Sequence, residues 1–108
     1  MESINKNGDF TRLYKKGKQA VNSGLVIYVL PTKKNKLRLG ITASKKIGNA
    51  VKRNRAKRVI RAAFNEVKKD VNGSYDIVLV ARAKTTFLKS TDVYKVMQKE
   101  FSRLGLLV

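Results

Sequence analysis

Hydrophobic and polar residues along this chain change period several times, and each change marks an element. Phe10, Leu13 and Tyr14 share one face of a short helix. Asn7 is placed to cap that helix, Asp9 suits its positive end, and Gly17 stops it. A β region follows over residues 19–22 and, beyond a Ser23-Gly24 turn, over residues 25–30, which are rich in β-branched and aromatic side chains. Residues 31–36 form a polar turn. Leu37, Leu39 and Ile41 then alternate with Arg38, Gly40 and Thr42, the period-2 pattern of a half-buried strand.

The period lengthens again across residues 50–69. At 100° per residue, Ala56, Val59, Ile60, Ala63 and Val67 make one stripe, with Val51 and Phe64 also at helical spacing. Arg55, Lys57, Arg58 and Arg61 point to the other side. Lys52 and Arg53 project toward the apolar side, so they must bend around the first turn or line a cleft. The Asn72-Gly73-Ser74 turn ends this helix, and the near-continuous apolar run Tyr75–Ala81 reads as a central strand. Ser90 or Thr91 caps a last helix marked on one side by Val93, Met97, Glu100, Phe101 and Leu104, with Glu100 the only polar intruder. The order αβββαβα predicts an α+β fold: a single compact domain over residues 1–108, with helices packed on a four-stranded sheet. No repeat, low-complexity tract or dividing linker interrupts it.

Charge decides what such a domain meets. Among 108 residues, 25 are Lys or Arg and seven are Asp or Glu, a net charge of +18. A hydrophobic fraction of 43% argues against disorder. Ordinary solvated surfaces mix both signs. Here residues 44–61 hold eight basic side chains and no acid. That pattern points to a polyanion, and RNA fits best. Acidic membrane lipid is the lesser alternative, because no long apolar run could span a bilayer and the basic helix carries no aromatic wedge on its polar side. The absence of Cys and His excludes disulfides, zinc fingers and thiol or imidazole catalysis. The first six residues lack a signal peptide's apolar stretch, so the expected location is cytoplasmic.

Arg53, Asn54, Arg55, Lys57, Arg58 and Arg61 have the chemistry to hold phosphates, with no acid interleaved at i,i+4 to neutralise them; the alternative is a solvated basic face. Lys45, Lys46, Gly48 and Asn49 precede the helix, where free N–H groups suit an anion and Gly48 permits close approach; a flexible surface turn is the rival account. By residue type, Phe10, Tyr14 and Tyr28 belong in a core.

The run from Ser44 to Arg61, with its Arg53-Asn54-Arg55 centre and following Lys57-Arg58, resembles the signature of the bacterial ribonuclease P protein subunit. Similarity extends to Asp9-Phe10, Tyr14-Lys15-Lys16-Gly17, Tyr28, Arg38-Leu39-Gly40 and Asp76 through Arg82. Tyr14 stands where relatives often have Phe, which keeps a stacking face. Residues 104–108 lack the basic tail of many relatives.

The resemblance implies a left-handed crossover from the strand at residues 37–43 to the strand at 76–81, whereas about 98% of such units are right-handed. It implies that Lys45, Lys46, Asn49, Lys52, Arg53, Arg55, Arg58 and Arg61 contact a catalytic RNA, with Asn54 and Lys57 near the substrate. It reverses the core reading of Phe10, Tyr14 and Tyr28, which would line a cleft for the single-stranded 5′ leader of precursor tRNA. The function implied is assistance in removing that leader, with the active site and Mg2+ held mainly by the RNA subunit. The expected partners are the catalytic RNA and precursor tRNA, with no membrane and no obligate protein partner. The acids support this division of labour. Glu2, Asp9, Glu66, Asp70, Asp76, Asp92 and Glu100 are scattered, and Glu66 with Asp70, the one i,i+4 pair, suits a solvated face better than a metal. No catalytic or metal-binding side chain is expected on the protein.

Overall fold

The computed structural model describes residues 2–107; Met1 and Val108, the ends of the expected domain, lie outside the described residues. The elements are β1 (Glu2–Ser3), α1 (Asn7–Lys16), β2 (Lys18–Asn22), β3 (Leu25–Pro31), β4 (Leu37–Thr42), α2 (Ala50–Val67), β5 (Tyr75–Ala81) and α3 (Ser90–Arg103). Short 3₁₀ turns occupy Lys45–Ile47, Lys68–Asp70 and Ala83–Phe87. The four expected strands and three helices are all present. A fifth strand, β1, joins the sheet edge by pairing Glu2 with Arg38 and Ser3 with Leu39. Two residues are too few to show a period.

The sheet order is β1-β4-β5-β3-β2. β1 and β4 run parallel to β5, and β3 is antiparallel to it. α2 crosses between the adjacent parallel strands β4 and β5. The apolar run in β5 is thus explained: the central strand is covered on both faces.

Alternation sorts side chains onto the two faces. Leu25, Ile27 and Val29 of β3, Leu39 of β4 and Ile77, Leu79 and Ala81 of β5 form the main core with α2 and α3. From α2 this core takes Ala56, Ile60, Ala63, Phe64 and Val67, and from α3 it takes Val93, Met97 and Phe101. The Phe64 and Phe101 rings meet nearly edge-on, 6.3 Å apart. Val59, at the margin of the expected stripe, is half-buried. On the opposite face a smaller cluster of Ile4, Leu13 and Val78 takes in Phe10, Tyr28, Leu30 and Val80 and seats α1.

The helix ends differ from the sequence expectation. Lys6, not Asn7, is the N-cap of α1, and the Asn7 carbonyl instead accepts from Thr11 Oγ1 at 2.9 Å. Lys89 is the N-cap of α3; Ser90 and Thr91 are already helical, and the Lys89 amide donates to Asp92 Oδ2 at 3.0 Å. The basic helix ends at Val67 and tightens into a 3₁₀ turn. Glu100 is buried because it is used. Asn22 Nδ2 donates to its Oε2 at 3.2 Å, and Arg103 Nη1 donates to its Oε1 at 2.8 Å.

Candidate nucleic-acid interface

The start of α2 is built by two residues. Gly48 has φ +140°, a conformation that favours glycine, and turns the chain out of the Lys45–Ile47 3₁₀ turn. Asn49 then caps α2, its side-chain oxygen accepting the Lys52 amide at 3.0 Å. Lys45, Lys46 and Asn49 are exposed beside this end.

The core stripe of α2 sets where its basic groups go. Lys52, Asn54, Arg55, Lys57, Arg58 and Arg61 are exposed; Arg53, angled toward the apolar side in the first turn, is half-buried. By helical geometry Asn54, Arg58 and Arg61 lie outermost. Arg55 flanks them on the α3 side, while Arg53 and Lys57 lie on the other. Among the described residues, none of these basic groups, nor Lys45 or Lys46, is paired with a carboxylate. Only Arg55 is tethered, donating from Nε to the Thr86 carbonyl at 3.2 Å. An unneutralised cationic helix face turned to solvent attracts polyanions over long range.

Phe10, Tyr14 and Tyr28 do gather, on the other face of the sheet. The Phe10 and Tyr14 rings are 6.4 Å apart, and Tyr14 meets Tyr28 edge-on at 4.8 Å. They are not equivalent. Phe10 is half-buried over Gly40, where a Cβ would come within 2.8 Å of its ring. Tyr14 is 45% exposed. Tyr28 is half-buried, its hydroxyl accepting from Gln19 Nε2 at 3.2 Å. Strand pairing extends this surface in a way that residue spacing did not reveal. Val21, Val26, Val80 and Thr42 form a cross-strand row on the same sheet face as Tyr28. α1 does not bury this row: Val21 is exposed and the other three are half-buried. An open strip therefore runs from the two tyrosines to the end of β4, where Ala43 and Ser44 lead into the basic turn before α2.

The charges beneath α1 were equally hidden from sequence reasoning. Asp76, 1% exposed, receives Arg38 Nε on Oδ1 at 2.8 Å, Arg38 Nη2 on Oδ2 at 2.7 Å and Arg12 Nη2 on Oδ2 at 3.0 Å. Arg38 also reaches Asp9 at 3.5 Å. The Arg38 hydrogen bonds hold the Asp76 carboxyl below its usual range against the opposing effect of burial. The same bonds hold the Arg38 guanidinium charged even more firmly than usual. Arg38 and Asp76 are register partners, a relation visible only once β4 is known to pair with β5. This network anchors α1 and engages both Asp76 and Asp9 with Arg38.

Among the described residues no three acidic side chains converge. Glu66 is exposed and pairs with Lys69 at 3.5 Å, and Asp70 is exposed in the following turn. No described helix is long and apolar enough to cross a membrane.

Comparison with known proteins places this geometry. The sequence model of the Ribonuclease P family matches residues 1–105. The ribonuclease P protein component of Shouchella clausii is 37% identical over 107 residues, covering 98% of this chain and 88% of that protein. The solved ribonuclease P protein of Staphylococcus aureus superposes with a TM-score of 0.86 at 34% identity, covering 100% of this chain and 99% of that one. That of Thermotoga maritima gives 0.83 at 27% identity, covering 95% and 97%. The match spans the basic helix, the sheet and the tyrosine cleft alike, and the chain belongs to the ribonuclease P family, as a protein component of that tRNA-processing endoribonuclease.

Proposed function

We propose that this chain grips the catalytic RNA of ribonuclease P with the exposed side of α2 and holds the 5′ leader of precursor tRNA along the tyrosine-lined strip. The observation that carries the first half is the α2 surface, where exposed Lys and Arg have no carboxylate partner of their own. Arginine forks match phosphate oxygens in pairs, and each phosphate contact displaces counterions. Lys45, Lys46, Asn49, Lys52, Arg53, Arg55, Arg58 and Arg61 carry this contact. Asn54 and Lys57, next to them on α2, lie where leader and catalytic RNA converge.

The second half rests on Tyr14, Tyr28 and Phe10. A leader of variable sequence is best held by stacking, because every base has a π-face. The open row Val21-Val26-Val80-Thr42 continues the strip toward Lys45 and Lys46, which supply charge for its phosphates. Hydrolysis of the phosphodiester takes place on the RNA subunit, which holds the Mg2+. The protein's role is to bring two polyanions together and screen their repulsion.

Reconstitution tests this reading. Adding the protein to a ribonuclease P RNA at low magnesium should accelerate cleavage of leader-bearing precursor tRNA. No acceleration, with both RNAs competent at high magnesium, would refute it.

A further inference from the structure

The most exposed large apolar side chain among the described residues, Phe87, is 84% exposed on a turn that packs against α2. It ends the 3₁₀ turn Ala83–Phe87, which is not a loose loop. Thr85 is buried, donates from Oγ1 to the Gly24 carbonyl at 2.6 Å and accepts the Arg82 amide at 2.9 Å. Arg82 Nη1 reaches the Asn22 carbonyl at 3.2 Å, and Thr86 Oγ1 donates to the Ala83 carbonyl at 2.8 Å. The next residue, Leu88, packs against the main core. The chain thus holds Phe87 out on a fixed support.

Its surroundings are cationic. Phe87 falls between Thr86, whose carbonyl is held by Arg55, and Lys89. Lys89 lines an open groove of about 350 Å³ together with Arg55, Arg58, Val59, Ala62 and Ser90. On the same side of α2, one turn before Arg55, sits the second most exposed large apolar residue, Val51, at 75%. Asp92, the acid nearest to Phe87 in the sequence, is engaged by the Lys89 amide, and Glu66, farther along α2, pairs with Lys69. An exposed aromatic on a fixed turn that Arg55 and Lys89 adjoin, next to a groove lined by Arg55, Arg58, Lys89, Val59 and Ala62, has the composition of a base-stacking site.

We infer that this groove receives an unstacked nucleotide of the catalytic RNA, its base stacked on Phe87 and its flanking phosphates held by Arg55, Arg58 and Lys89. This rests on the proposed binding of that RNA by α2. The sheet separates the groove from the Tyr14–Tyr28 strip, so the partner here is the catalytic RNA and not the leader. Lys89 and Phe87 join the interface although neither belongs to the basic helix.

Phe87→Ala should weaken binding to a ribonuclease P RNA by about 5- to 150-fold, the equivalent of 1–3 kcal/mol per stacked base at 1.4 kcal/mol per tenfold. Its melting temperature should stay at the wild-type value, because the side chain is solvated. Phe87→Tyr should bind like wild type, and Phe87→Leu, apolar but without a π-face, should behave like the alanine variant. The chain has no Trp, so Phe87→Trp places a single fluorophore at the site. Its emission should be quenched as the catalytic RNA saturates it. Wild-type affinity of Phe87→Ala, or unquenched emission at saturation, overturns the inference while leaving the proposed function standing. Quenching by precursor tRNA alone and not by the catalytic RNA overturns the choice of partner. Failure of the wild-type protein to bind the catalytic RNA overturns the functional reading as well.

Discussion

Replacing Asp76 with Asn should unfold this protein more readily than any single change on its basic surface. The carboxylate is buried and accepts three charge-assisted hydrogen bonds, two from Arg38 and one from Arg12. Asn keeps the shape and one acceptor oxygen but removes the charge, leaving Asp9 at 3.5 Å as the carboxylate beside Arg38 among the described residues. Arg38 itself is largely buried, its side chain 14% exposed. Breaking one side of a buried pair costs about 3–5 kcal/mol. The Arg12 bond adds little, because that side chain is 46% exposed and well screened. An unfolding entropy of about 2.1 cal/mol/K per residue converts this loss into a melting-temperature drop of about 13–22 °C for a chain of this length.

Thermal melts followed by circular dichroism at pH 7 measure that drop. A double variant, Arg38→Met with Asp76→Leu, should recover most of the loss, since apolar replacement of a buried pair is often neutral. The pH dependence has a fixed sign. Asp76 is held below its unfolded value, so its stabilisation is complete above about pH 4 and fades as the pH falls further. The gap between wild type and Asp76→Asn should therefore narrow only under acid conditions. A drop below about 5 °C at pH 7, well under the range that the entropy conversion gives, or a gap that narrows toward alkaline pH, would refute the reasoning.

The triple variant Arg53→Ala, Arg55→Ala, Arg58→Ala should bind the catalytic RNA more weakly at an unchanged fold; a salt titration should show the slope of log K falling by about 0.9 for every phosphate the variant no longer neutralises, taking duplex DNA as the guide. Tyr14→Ala should weaken binding of precursor tRNA by about 1–3 kcal/mol and leave mature tRNA unaffected, with little change in melting because the ring is nearly half exposed; equal weakening toward both tRNAs would count against the leader strip. Gly40→Ala should destabilise by about 1–3 kcal/mol in denaturant titration, because its Cβ would press on the Phe10 ring at 2.8 Å. Glu66→Ala with Asp70→Ala should leave the single-turnover cleavage rate of the reconstituted enzyme nearly unaltered; a hundredfold fall, about 2.7 kcal/mol of barrier, would reveal a metal held by the protein.

What could be read from the sequence was whatever leaves a period or a local turn. The α2 stripe, the β-branched and aromatic run of β3, the β4 alternation and the continuous β5 run each led to the element found, because buried faces impose a spacing and a residue type. Relations between distant strands were illegible. Arg38 and Asp76 are 38 positions apart in the chain and meet only through the β4–β5 register. The Val21-Val26-Val80-Thr42 row needs three pairings at once to be seen. Glu100 looked anomalous in an apolar stripe until Asn22, from β2, supplied its partner. The helix caps were misplaced because Asn7, Ser90 and Thr91 are good capping types sitting one or two residues inside the helices. Residue type alone favoured a core position for all three candidate aromatics, and family resemblance favoured a cleft. The structure divides them by exposure: Phe10 and Tyr28 are half-buried against the cluster that seats α1, and Tyr14 is exposed.

The unequal cores on the two sides of the sheet have a dynamic consequence. α2 and α3 are clamped by a large interior that includes two phenylalanines and most of the aliphatic side chains, whereas α1 is seated by Ile4, Leu13 and Val78 and tied by the Arg12 bond to Asp76. Elements with little buried apolar packing open at a lower free energy than those at the centre of a core. The α1 wall of the tyrosine cleft thus opens at a lower free energy than α2, whose inner side is held in the main core. Amide exchange should show this order directly, with α1 protons exchanging first while those of β5 and the middle of α2 persist. Under the proposed function, a yielding wall opposite a rigid helix would suit leaders of variable sequence while the grip on the catalytic RNA stays constant.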